Sequence, residues 1–189
     1  MENKARSLIA ELLDNKESSE PTTYYKILLL GIRDAYEYHR DLLAFNEPVD
    51  KSESLSHYYK EALRFWKLHD RERAVYYLGG ALYHIQDAWL GISDNPQYES
   101  YLEQSAEWKK SLKPLAPGAG KKSAVTDWIK EAEEERKHFD PFIKEALKVE
   151  ALEQHTSQVS VHLAQKAQEA GAALLLQFFT EALMDASNS

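Results

Sequence analysis

One segment, RERAVYYLGGALYHIQDAWL from Arg71 to Leu90, sets the terms for the rest of the chain. It reads as an apolar helix in which a few polar groups stand at distances suited to gripping one ion or passing one proton. Tyr83 and Asp87 are four residues apart, so they share a helix face about a turn apart, with Gly80 and Tyr76 upstream on the same face. Gly79 and Gly80 each cost roughly 1 kcal/mol against alanine inside a helix. Two such costs in succession imply that another element approaches closely there.

The remaining chain reads as helical almost throughout, because apolar residues recur at three and four and no strand alternation is sustained. An amphipathic helix is expected from about Lys4 to Asp14. A second opens at Pro21 and runs through Tyr24, Leu28, Ile32 and Tyr36 to about Leu43. FNEPVDKSES is expected to be a loop leading to a third helix, about Ser54 to Leu68. The central helix follows, from about Glu72 to Leu90. Asn95 and Pro96, a cap and a proline suited to the first helical position, open a fifth helix to about Leu112.

PLAPGAGKK is expected to be a surface turn, since its glycines and lysines lack phosphate-loop spacing. A charged helix follows from about Ser123 to Lys137, and Asp140-Pro141 marks a further helix start. The stretch from there to Met184 is too long for an ordinary globular helix. Thr156, Ser157, Val159 and Val161 are where a break or bend is expected. The expectation is therefore a single-domain, all-α multi-helix bundle over residues 1–185, with a disordered tail at 186–189.

Composition narrows the function classes. A chain of 189 residues can bury a substantial core, and no apolar run approaches the length that spans a bilayer. The net charge of −8 disfavours nonspecific binding to nucleic acid phosphates or anionic lipid surfaces. With no cysteine there are neither disulfides nor thiolate metal sites, and the opening MENKARS has no apolar signal region. The cytoplasm is the expected compartment. Eleven tyrosines and four tryptophans, many of them between Tyr24 and Tyr101, are read chiefly as helix-packing residues.

LGGALYHIQD, with ERAVYYLG before it, resembles the central helix of the zinc-dependent phospholipase C and single-strand nuclease family. HYYKEALRFWKLHD is similar to that family's preceding helix, NPQYESYLEQSAEW to its following segment, and LAQKAQEAGAALLLQFFTEAL to its closing helix. The resemblance implies the family's helical fold and a phosphoesterase ancestry. It also implies a lost three-zinc centre: one family histidine falls on Tyr83 and another on Asn95, a third falls within Trp89 to Ser93, where there is none, while Asp87 and Glu99 are kept. The family's N-terminal tryptophan ligand is absent as well.

Read from the residues themselves, Asp87 is the strongest candidate, since a carboxylate among Ile85, Trp89 and Leu90 must be hydrogen-bonded or charge-paired if buried. Tyr83 suits proton donation better than metal binding, because ionising a phenol at neutral pH costs roughly 4 kcal/mol. His84, three residues before Asp87, shares its face and suits either a metal or general acid-base work. Glu99 is either a site residue or a solvated acid in the first turns of its helix. His39 lies where the family has another histidine ligand. Tyr76 and Trp89 are further candidates for lining a substrate site.

Other constellations carry less. His57 and Glu61 have chelate spacing but polar surroundings, and are read as a solvated face. His138 in HFDP is read as part of a helix start, and His155 and His162 as sharing a face. Glu131 to Lys137 is read as a solvated charged face.

The leading expectation is thus a divergent phospholipase C-like protein without metal or other cofactor, performing acid-base chemistry on a small-molecule substrate in an inter-helix cavity. Asp87, Tyr83 and His84 would act, while Glu99, His39, Tyr76 and Trp89 would bind substrate. A reduced one- or two-ion zinc phosphoesterase and a noncatalytic binding protein are the alternatives. No nucleic acid partner and no integral membrane association are expected, and oligomeric state is left open.

Overall fold

The computed structural model describes residues 2–13, 23–45, 49–91, 95–104, 125–146 and 153–186. These form seven helices: α1 (Glu2–Leu13), α2 (Thr23–Ala44), α3 (Lys51–Lys67), α4 (Arg71–Leu90), α5 (Pro96–Gln104), α6 (Val125–Ala146) and α7 (Glu153–Ala186). Among the described residues, no helix is long and apolar enough to cross a membrane. The helices pack as one domain around α4, which contacts α2, α3, α6 and α7.

The reason for this arrangement lies in α4 itself. Leu78, Ala81, Leu82, Ile85, Ala88 and Trp89 are all buried, and they point around the helix rather than along one stripe. Such a helix has to be enclosed. Asp70 caps its start by accepting a hydrogen bond from the Arg73 amide at 3.2 Å. Gly91 ends it in the left-handed conformation at φ 61°, where its amide returns to the Asp87 carbonyl.

The glycines mark close helix approaches. A Cβ at Gly31 on α2 would stand 2.0 Å from the Tyr76 carbonyl oxygen, and one at Gly79 would stand 2.3 Å from that of Leu28. The backbones of α2 and α4 therefore touch directly. Gly80 makes room for the Tyr58 ring of α3, whose nearest carbon a Cβ would meet at 2.3 Å. The expected close approach at Gly79-Gly80 is thus made on both sides, by α2 and by α3.

Several expected boundaries need correction. The loop expected before Ser54 is shorter, because Asp50 caps the Glu53 amide at 2.9 Å and the helix begins at Lys51. Asp140-Pro141 is not a helix start: Pro141 lies inside α6. A proline there costs about 3 kcal/mol in an isolated helix. The apolar stripe of Trp128, Ile129, Ala132, Phe139 and Ile143 nevertheless continues across it into the core, and burial of both halves outweighs that cost.

Residues 153–186 of the long C-terminal stretch likewise form one helix of 34 residues, which runs unbroken through the patch at Thr156 to Val161. Its weak patch is held from outside, as buried Ser160 accepts a hydrogen bond from the Tyr98 hydroxyl at 2.9 Å. Ala186, placed in the tail by sequence, closes this helix. Pro21, the PLAPGAGKK turn, the chain beyond Gln104 to Leu112 and residues 187–189 lie outside the described residues.

Candidate functional site

Where α2, α3 and α4 meet, the interior is polar. The Asp87 side chain is wholly buried, and the Lys51 ammonium, from the first turn of α3, stands 2.9 Å from its Oδ2. A cation at a helix N-terminus opposes the helix dipole. The buried carboxylate across the interface compensates for it. His39 of α2 places Nδ1 3.8 Å from the same oxygen, and the Tyr83 phenol meets that nitrogen at 2.9 Å.

The contact between Tyr83 and His39 has two forms. With the proton on the phenol, Tyr83 donates to a neutral imidazole; with the proton on Nδ1, the ring donates and faces the Asp87 carboxylate. Either state fits the same heavy-atom positions.

His84 closes the cluster through its ring. It lies between aromatic neighbours, with centroids 5.9 Å from His39, 5.3 Å from Tyr58 and 5.0 Å from Tyr83. Burial, with the neighbouring His39 and the Lys51 charge acting in the same direction, holds its pKa down to about 4; Asp87 only partly offsets this. The ring is thus neutral near pH 7. Its Nδ1 has no hydrogen-bond partner among the described residues.

Tyr36 forms the outer border. Its ring meets that of Tyr83 edge to face at 6.1 Å, and its hydroxyl donates to Glu99 Oε1 at 2.6 Å. That hydrogen bond, followed by burial, raises the Tyr36 pKa. Among the described residues, Glu99 is linked to the cluster through Tyr36.

Four residues singled out by sequence, His39, Tyr83, His84 and Asp87, come together, with Glu99 beside them. Tyr76 does not join them. It lies two helical turns before Tyr83, about 10 Å away along α4, and its hydroxyl donates to Asp34 Oδ2 at 3.1 Å. Trp89 faces α7, where the Lys166 ammonium lies 5.9 Å from its ring centroid.

The lesser constellations separate too. His57 is exposed, and Glu61 pairs with Arg64 at 2.6 Å. His138 is exposed, His162 pairs with Glu135 at 2.5 Å across α6 and α7, and the side chain of His155 lies outside the described residues. The charge run is therefore not wholly solvated. Glu135 makes this interhelix contact, and Arg136 chelates Asp140 from a half-buried position.

Lys51 was missed by sequence reasoning. The signal was there: Asp50 and Glu53 have capping spacing, which puts Lys51 in the first helical turn rather than in a loop. A lysine at the wrong end of a helix dipole needs an acidic partner.

Among the described residues, no group of three or more histidine, aspartate or glutamate side chains is placed to hold a metal ion. His84 turns its ring to aromatics, Glu99 is engaged by Tyr36, and Lys51 occupies one side of Asp87. Protein-family models, curated proteins and solved structures yield no match to this chain.

Proposed function

We propose that the protein is a divergent relative of the phospholipase C-like helical proteins that performs metal-independent acid-base chemistry on a small molecule. One observation carries this reading: the Lys51 ammonium lies against Asp87, giving the carboxylate a fixed positive partner where the family resemblance leads one to expect zinc. Asp87 then acts as a charge anchor, and Tyr83 with His39 holds the transferable proton. Neutral His84 supplies a buried dipole beside them. Ionisable groups buried together at such cost are a recognised mark of functional sites.

Elemental analysis by plasma mass spectrometry, on protein purified without chelator, tests this. The expected result is zinc far below one equivalent and no zinc-stimulated hydrolysis of a generic phosphodiester. Stoichiometric zinc, or zinc-dependent turnover abolished by Asp87→Asn, would establish the phosphoesterase alternative instead.

A second reading, a noncatalytic binding protein, is favoured by the complete burial of the Asp87 side chain and its pairing with Lys51. Under that reading Asp87→Asn lowers the melting temperature and leaves ligand binding untouched. Under the acid-base reading, Tyr83→Phe suppresses turnover while the fold survives.

A further inference from the structure

A cleft of about 210 Å³ opens beside the first turns of α4, where α1, α2, α3 and α7 converge. Leu8 and Leu12 of α1, Val75 of α4 and Phe179 of α7 form its apolar walls, and Tyr24 of α2 borders it. Into this apolar setting the chain places Arg71. The guanidinium stacks on Trp66 with its central carbon 3.5 Å from the ring centroid, and Nη1 donates to the Trp66 carbonyl at 3.2 Å.

That one hydrogen bond uses a single N–H of the five that a guanidinium carries. No carboxylate of the described residues lies within ion-pair distance of Arg71, although Glu11 lines the same cleft. Partial burial lowers the Arg71 pKa, offset in part by the nearby Tyr24 phenol. A stacked guanidinium is held in orientation, so the edge that finds no partner among the described residues suits a planar, two-oxygen acceptor.

We propose that this cleft binds a small apolar monocarboxylate, its hydrocarbon part against Leu8, Leu12, Val75 and Phe179 and its carboxylate on Arg71. Ligand pockets for drug-sized molecules span about 300–1,000 Å³. The smaller volume here suits a ligand of about six to ten non-hydrogen atoms. The cleft shares no side chain with the His39, Tyr83 and Asp87 cluster, so this proposal stands whether or not that cluster is catalytic.

The test is calorimetric titration of the full chain with hexanoate, and with hexanol and hexylamine as controls. Hexanoate is expected to bind, the alcohol about tenfold or more weaker, and the amine not at all, as befits a charge-assisted contact. Arg71→Gln should weaken hexanoate by about ten- to a hundredfold and bring it level with hexanol. Glu11→Gln should strengthen it severalfold, because a like charge at the cleft is removed.

Circular dichroism and thermal melting of each variant exclude loss of fold. Should Arg71→Gln unfold, Arg71→Lys, which keeps the charge but not the fork, is expected to bind hexanoate several times more weakly than the parent. Hexanoate binding that is equal in parent and folded Arg71 variants, equal to that of hexanol, or absent at millimolar concentration overturns the proposal.

Discussion

The two sides of α4 are built on opposite principles. Towards α7 it meets hydrocarbon: Leu174 and Phe178 are fully buried in the same apolar core as Leu78, Leu82 and Ile85, and Phe178 also packs edge to face with Tyr59 and Trp66 of α3 and with Phe179. Towards α2 and α3 it meets Lys51, His39 and its own Asp87, equally hidden from solvent. Burying hydrocarbon stabilises roughly in proportion to area, about 25 cal/mol per Å². Burying charges stabilises little or nothing net, yet removing one partner is severely destabilising. The first side therefore explains why the chain folds, and the second is costly enough to need a reason beyond folding.

The sharpest break in that comparison is Lys51→Met. It leaves Asp87 uncompensated, and a loss of about 3–5 kcal/mol is expected in urea denaturation. Adding Asp87→Leu should recover most of it, since a matched apolar pair replaces the ions. Phe178→Ala should cost a similar amount, about 3–5 kcal/mol, but through a cavity that no change at Lys51 or Asp87 can relieve. Rescue on the polar side and its absence on the apolar side would separate the two mechanisms.

Gly31→Ala probes the seam that brings His39 against α4. The added methyl meets the Tyr76 carbonyl, which belongs to backbone and cannot rotate aside. An overpacking cost of about 1–3 kcal/mol is expected from thermal melting.

His84 supplies the pH test. Its pKa is depressed in the folded state to about 4 from an ordinary 6.5, so below that ordinary value the unfolded chain takes the proton first. Stability should fall as pH drops from 6.5 towards 4 and level off beneath it. From about pH 7 to about pH 5 the share due to His84 is about 2 kcal/mol. His84→Phe should remove that part of the slope in parallel urea titrations.

The smallest effect belongs to the surface. Arg64→Gln loses the exposed pair with Glu61, and a change within about 0.5 kcal/mol is expected.

How legible the molecule was in its sequence follows from the range of the forces. Helix type could be read from local periodicity. So could the close contact at Gly79 and Gly80, because glycine in a helix is locally unfavourable wherever it occurs. Lys51 was lost because a helix start was placed three residues late, in a segment where a proline and several polar residues suggested a loop. Pro141 and the patch around Val159 misled for the opposite reason. Both are locally poor in a helix, and both are overruled by burial against distant elements. Of the site, Asp87, Tyr83 and His84 were visible as neighbours on one helix. That His39 would meet the Tyr83 phenol depends on how closely α2 crosses α4, which no local pattern encodes.

Nitrogen-15 spectra of the histidine side chains, recorded near neutral pH with and without one equivalent of zinc, bear most directly on the central claim. The account predicts a neutral His84, a His39 Nδ1 signal displaced by its hydrogen bond and moved by Tyr83→Phe, and no response of either ring to zinc. A charged His84, or zinc shifting both imidazoles together, would contradict it.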